Sequence, residues 1–263
     1  VSLALIVFIG WIFGTCIHEF CHAAVAYVGG DKSVKDKGYL TLNPLKYTDP
    51  GLTLVGPIVM LILGGIPLPG AAVYINRKAL RNKLWHSAVS AAGPFGTALM
   101  MFVYAIPFML GMVAPDSQDT DALALALLVL LHVVALLLNS LPLPPLDGYG
   151  VIEPWLPRPV QSMMNRFGLY GIWIVFGLLW FVRPLNIALW RTADRIALFL
   201  GVPPEMHERA YMLFSEEKYY VAMLLVGIMV FSRRGKKKAP AEAPPPASPT
   251  TTEVSADETK PSM

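Results

Sequence analysis

"GWIFGTCIHEFCHAAVAYVGG" occupies residues 10–30 and sets His18, Glu19 and His22 inside an apolar run. No other residue from Val1 to Gly30 is acidic, basic or an imidazole. A charge at the centre of a bilayer costs at least about 2.5 kcal/mol, so an ionisable cluster there is a functional site by default. Whether the run is a membrane segment is decided by the rest of the chain.

The protein has 263 residues, 55% hydrophobic and 15% charged. A soluble domain carries roughly 25% charged residues. The apolar residues also come in blocks. No Asp, Glu, Lys or Arg lies between Asp49 and Arg77, between Lys83 and Asp116, or between Asp121 and Asp147. Each block exceeds the ~20 residues that cross a hydrocarbon core as a helix. The expected fold class is therefore an all-α polytopic membrane bundle of five to six segments, at about 3–28, 51–73, 84–113, 122–141, 167–190 and 219–232. The last two are weaker, because Arg183 interrupts one and the other is short, so surface helices are the alternative there. The stretch "VSLALIVFIGWIF" lacks a basic n-region and reads as a span rather than a cleaved signal.

The net charge is +3, and its distribution is more informative than its size. Basic residues cluster in the loop 31–50 (Lys32, Lys35, Lys37, Lys46) and in the loop 77–83 (Arg77, Lys78, Arg81, Lys83), whereas the loop 114–121 has none. The positive-inside bias puts the first two in the cytosol and the third outside. Segment 51–76 would then have both flanks on one side, so it must enter and return. Gly and Pro in "GGIPLPGAAVYI" (64–75) break a helix and leave an extended, re-entrant element near 64–75. A single crossing with one basic loop outside is the alternative. "RRGKKK" (233–238) reads as a cytosolic anchor, which argues against nucleic-acid binding. The Pro/Ala/Ser/Thr tail from Ala239 cannot bury a core. The expected organisation is a membrane-embedded domain over 1–232 and a basic anchor with a disordered cytosolic tail over 233–263. Cys16 and Cys21 face different directions on one helix and build no disulfide framework. The sequence sets no oligomeric state.

On a helix, residues four apart lie about 40° apart in projection and ~6 Å along the axis. His18 and His22 can therefore hold one metal ion, with Glu19 beside them as a base for water. Imidazole and carboxylate ligands suit a single Zn²⁺. A catalytic zinc needs a third protein ligand and an open position. "NSLPLPPLDGYG" (139–150) offers Asp147, behind Pro142, Pro144 and Pro145, which end the preceding helix. Asp147 either completes the metal site or merely opens a polar loop. Topology favours the site, because segment 122–141 descends to the same cytosolic-side depth as HEFCH.

HEFCH in a first apolar segment, with N-x-x-P-x-P-x-L-D-G in a later one, resembles the site-2 protease family of intramembrane zinc metalloproteases, in its compact bacterial branch without a PDZ domain. Asn139, Pro142, Pro144, Leu146, Asp147 and Gly148 match the second motif. "GYLTLNPLKYTDPGLTLVGP" (38–57) and "AAGP" (91–94) are also similar, and the resemblance covers residues 3–200. It implies His18, His22 and Asp147 as zinc ligands, Glu19 as general base and Asn139 as a group holding substrate or oxyanion. It implies hydrolysis of peptide bonds in single-pass membrane proteins within the lipid bilayer of a bacterial plasma membrane, at a site facing the cytosol. One departure stands out: the family often has G-P-x-x-N, and here "GPFGT" puts Thr97 where Asn is usual.

The competing class is a non-catalytic zinc-binding membrane protein, a transporter or sensor. Glu19 argues against an inactive enzyme, and the polar residues concentrate at one depth rather than along a path. Of the other histidines, His132 reads as a bundle hydrogen-bonder or a group near zinc, His86 as interfacial, and His207 as part of a solvated stretch.

Overall fold

The computed structural model describes residues 2–47, 57 and 70–236. Most of the expected segment 51–73, and the 64–69 part of the re-entrant element, lie outside them. The described residues up to Val226 form one compact unit, and those from Gly227 onward belong to a second.

Among the described residues the chain is helical, with no strand. The elements are α1 (Leu3–Gly29), α2 (Ser33–Asp36), α3 (Lys83–Met109), α4 (Thr120–Asn139), α5 (Asp147–Ile152), α6 (Arg158–Phe181), α7 (Arg183–Phe199) and α8 (Pro204–Lys236), with single 3-10 turns at Pro44–Lys46, Arg77–Ala79 and Glu153–Trp155. Helices α1, α3 and α4 are long and apolar enough to cross a membrane, and α6 with α7 makes a fourth candidate, bent by 95°. The protein is an all-α, multi-pass membrane bundle. The bend at Val182 has a chemical cause: Pro184, in the first turn of α7, has no N–H to donate back into α6, and its ring would clash with the carbonyl four residues before it if one helix ran through.

α1 and α3 form the central pair, with α4 against both, α5 against α3, and α7 against α4. In lipid, apolar burial does not drive such contacts; close approach over small residues and interhelical polar contacts do. Tyr104 donates to the Gly10 carbonyl at 2.8 Å. His132 donates from Nδ1 to the Leu128 carbonyl at 2.8 Å, and its ring packs edge-on against Trp11 and Tyr104. Its role is therefore within the bundle.

The remaining surprise is α8. Its first half was expected to be solvated, with a span only from residue 219. Instead Met206, His207, Ala210 and Phe214 are buried, three of them at four-residue spacing. His207 is 3% exposed, its Nε2 is 3.2 Å from Asp194 Oδ1, and its Nδ1 has no hydrogen-bond partner. Glu217 accepts from Ser2 Oγ at 2.6 Å and from the Ala4 N–H at 2.9 Å. It thereby satisfies a free donor at the positive end of α1. Residues 204–217 thus cross the N-terminal end of α1 rather than solvent.

Candidate metal centre

The candidate ligands come from the sequence patterns that announced them. α1 is one unbroken helix through HEFCH, so His18 and His22 fall on one face. α4 ends at Asn139, the proline-rich turn follows, and Asp147 opens α5. Gly148 lets this turn double back: a Cβ there would sit 2.6 Å from the Leu141 carbonyl oxygen.

The result is a tight triangle. His18 Nε2 is 3.1 Å from His22 Nε2 and 3.2 Å from Asp147 Oδ2, and His22 Nε2 is 3.3 Å from Asp147 Oδ1. These three residues can offer one ligand atom each to a shared ion, and they are the one such group of His, Cys, Asp or Glu among the described residues. The donor set fits zinc in two ways. Tetrahedral bonds of about 2.0–2.1 Å separate ligand atoms by roughly 3.3 Å, which is the spacing seen here. The tautomers also fit. His22 Nδ1 lies 2.7 Å from the Val89 carbonyl, which can only accept, so Nδ1 carries the proton and Nε2 presents a lone pair. A lone pair beside a second imidazole nitrogen and a carboxylate is repulsive unless a cation joins them.

Glu19 is buried beside the triangle and accepts a hydrogen bond from the Val73 backbone. Val73 belongs to residues 70–75, which carry no helix and of which 71–75 line the cavity. Non-helical backbone is tolerated at membrane depth where it lines a cavity. Three further bonds hold this segment: the Ala72 N–H to the Tyr47 carbonyl at 3.0 Å, Lys37 Nζ to the Tyr74 carbonyl at 2.7 Å, and the Asn76 N–H to Asp31 Oδ2 at 2.7 Å. Asp31 is 1% exposed, and its other oxygen accepts from the Ser33 N–H and hydroxyl.

A cavity of about 530 Å³ contains His18, Glu19, His22, Asn139 and Asp147 on its walls. All five residues singled out from the sequence therefore share one space. His86, read as interfacial, also lines it, as do Arg77 and Ser90. Sequence reasoning missed Asp31, Val73 and Val89. The Asp31 signal was a lone carboxylate directly after Gly29–Gly30 at a helix end; the other two act through backbone atoms and leave no signal.

An HExxH helix and a distant aspartate thus meet in one cavity of a multi-pass membrane bundle, with the spacing of a metal centre. The comparisons with known proteins agree. The chain is 40% identical over 182 residues to a Mycolicibacterium smegmatis protein named "Putative zinc metalloprotease Rip2", covering 68% of each chain. It is 39% identical over 181 residues to the protein of that name from Mycobacterium tuberculosis, again covering 68% of each. It is 37% identical over 185 residues to "Putative zinc metalloprotease YwhC" of Bacillus subtilis, covering 66% of this chain and 79% of that one. No family model matches, and no solved structure matches significantly. The chain belongs to the site-2 protease family of zinc metalloproteases.

Proposed function

We propose that this protein is an intramembrane zinc endopeptidase that cuts single-pass membrane proteins within or near their transmembrane segments, as a step of regulated proteolysis. The observation that carries the reading is the meeting of His18 Nε2, His22 Nε2 and the Asp147 carboxylate in one cavity with Glu19. His18, His22 and Asp147 would hold one Zn²⁺ per chain. Zinc bound there supplies a Lewis acid for a peptide carbonyl and lowers the pKa of water towards ~7.

Glu19 takes the proton of the attacking water and returns it to the leaving amine. The Val73 N–H fixes the orientation of its carboxylate. Asn139, at the last turn of α4, faces the same space and donates to the substrate's carbonyl oxygen as charge develops there. A helical substrate hides its peptide bonds, so it must unwind before cleavage. Residues 70–75 offer irregular backbone along the cavity against which an unwound strand can pair.

The basic loops around Lys32–Lys46 and Arg77–Lys83 favour a site open to the cytosol, in a bacterial plasma membrane. The layout has a catalytic domain over 1–232 and a cytosolic tail over 233–263. The non-catalytic zinc-binder reading explains the triangle but not a buried carboxylate held beside it.

Purified protein reconstituted with a single-pass transmembrane reporter tests this. Cleavage should occur, stop on chelation, and be absent in Glu19→Gln, which should still bind one zinc per chain. Cleavage by zinc-loaded Glu19→Gln protein would sink the proposal.

A further inference from the structure

The family pattern has Asn where this chain has Thr97, and the structure gives Thr97 a partner. Its Oγ1 lies 2.8 Å from His18 Nδ1, and Thr97 is 5% exposed. The three positions of α3 facing the imidazoles are Val89, Gly93 and Thr97, spaced by four residues and so on one stripe of the helix. Val89 offers its carbonyl to His22 Nδ1. Gly93 offers space: a Cβ there would lie 2.6 Å from His18 Nε2 and 2.5 Å from His22 Cε1. Thr97 offers a hydroxyl to His18 Nδ1.

We infer that Thr97 is the positioning residue for His18, setting its tautomer and ring orientation so that Nε2 faces His22 and Asp147. The inference rests on the zinc reading of the triangle. His18 can present an Nε2 lone pair only if Nδ1 carries the proton, and that proton needs an acceptor in a buried site. Among the described residues Thr97 Oγ1 is the group at hydrogen-bond distance from Nδ1. The two histidines are thus oriented by different chemistry. For His22 the acceptor is main chain, which no substitution of Val89 removes. For His18 it is a side chain, which one substitution does.

Outer partners of this kind change metal affinity by about 10–100-fold when removed. The test measures zinc affinity of the full chain in detergent by competition with a chromophoric chelator, with the visible spectrum of the Co²⁺-substituted protein as a second readout. Thr97→Val, which keeps the shape and removes the acceptor, should weaken zinc 10–100-fold and alter the Co²⁺ bands. Thr97→Ser should keep both. Wild-type affinity and an unchanged spectrum in Thr97→Val would overturn the assignment. If Thr97→Val does not fold, the Ser/Ala pair decides: at least a tenfold gap supports the role, and equal affinities overturn it. Absence of zinc binding in the wild type would instead remove the metal centre itself, so the two failures are distinguishable.

Discussion

Gly93 faces His18 and His22 so closely that a methyl group added to it would lie 2.6 Å from His18 Nε2 and overlap His22 Nε2. Such a separation is below any real contact, and the far side of each ring is held, by Thr97 and by Val89. Gly93→Ala should therefore displace both imidazoles and lower zinc affinity at least tenfold, while α3 itself gains helix propensity of about 1 kcal/mol. Zinc content after dialysis against a buffered metal, together with the helical circular-dichroism signal, checks this. Full zinc occupancy in a folded Gly93→Ala protein would contradict the geometry.

Zinc retention should depend on pH in one direction. Metal binding needs His18 and His22 neutral at Nε2, and protons compete for those nitrogens. Affinity should fall as the pH is lowered. A zinc-competition series from pH 8 to pH 5 reads the effect. An affinity that rises on acidification would exclude the two imidazoles as ligands.

Asp31 should matter to activity from outside the cavity. It is buried, and its carboxylate joins the start of α2, at Ser33, to Asn76 at the end of the lining segment. Removing it leaves part-buried donors on Ser33 and Asn76 without their acceptor, and a hydrogen bond to a charged group contributes about 1.5–3 kcal/mol. Asp31→Ala should lower thermal stability by about 2–3 kcal/mol and raise KM for a transmembrane reporter, because residues 70–75 lose an anchor. A variant with unchanged melting and unchanged KM would show that the anchor is idle.

His207 predicts an acid sensitivity of folding unrelated to metal. Burial lowers its pKa below the ordinary value, against an opposing pull from Asp194. A folded pKa below the unfolded one means the unfolded chain binds more protons between the two values. Stability therefore falls as pH drops through ~6.5 towards the folded pKa, and is unaffected above it. His207→Leu should flatten the pH dependence of the melting temperature between pH 7 and pH 5 relative to wild type, measured with zinc removed. Identical profiles for the two proteins would dismiss the effect.

Much of the site was legible beforehand because it is written in local rules. The four-residue spacing of His18 and His22 needs nothing but helix geometry, and the prolines before Asp147 end a helix wherever they stand. The charge-free blocks reveal spans by length alone. What was not legible belongs to contacts between elements. His207, amid Glu205, Glu208 and Arg209, looked solvated, yet the register of α8 turns it inward with Met206, Ala210 and Phe214. That His86 lines the cavity is likewise a matter of packing between elements.

The sequence by itself determined that the chain is a helical membrane protein, that His18 and His22 share a face, and that Asp147 follows a broken helix. Each is a property of neighbouring residues and of the cost of charge in lipid. The tertiary structure decided that the three candidate ligand residues converge within 3.1–3.3 Å, that α3 packs on the imidazoles through Val89, Gly93 and Thr97, and that residues 70–75 are pinned beside Glu19 by Tyr47 and Asp31. Those facts depend on which helices touch and at what rotation, and no run of adjacent residues carries that information.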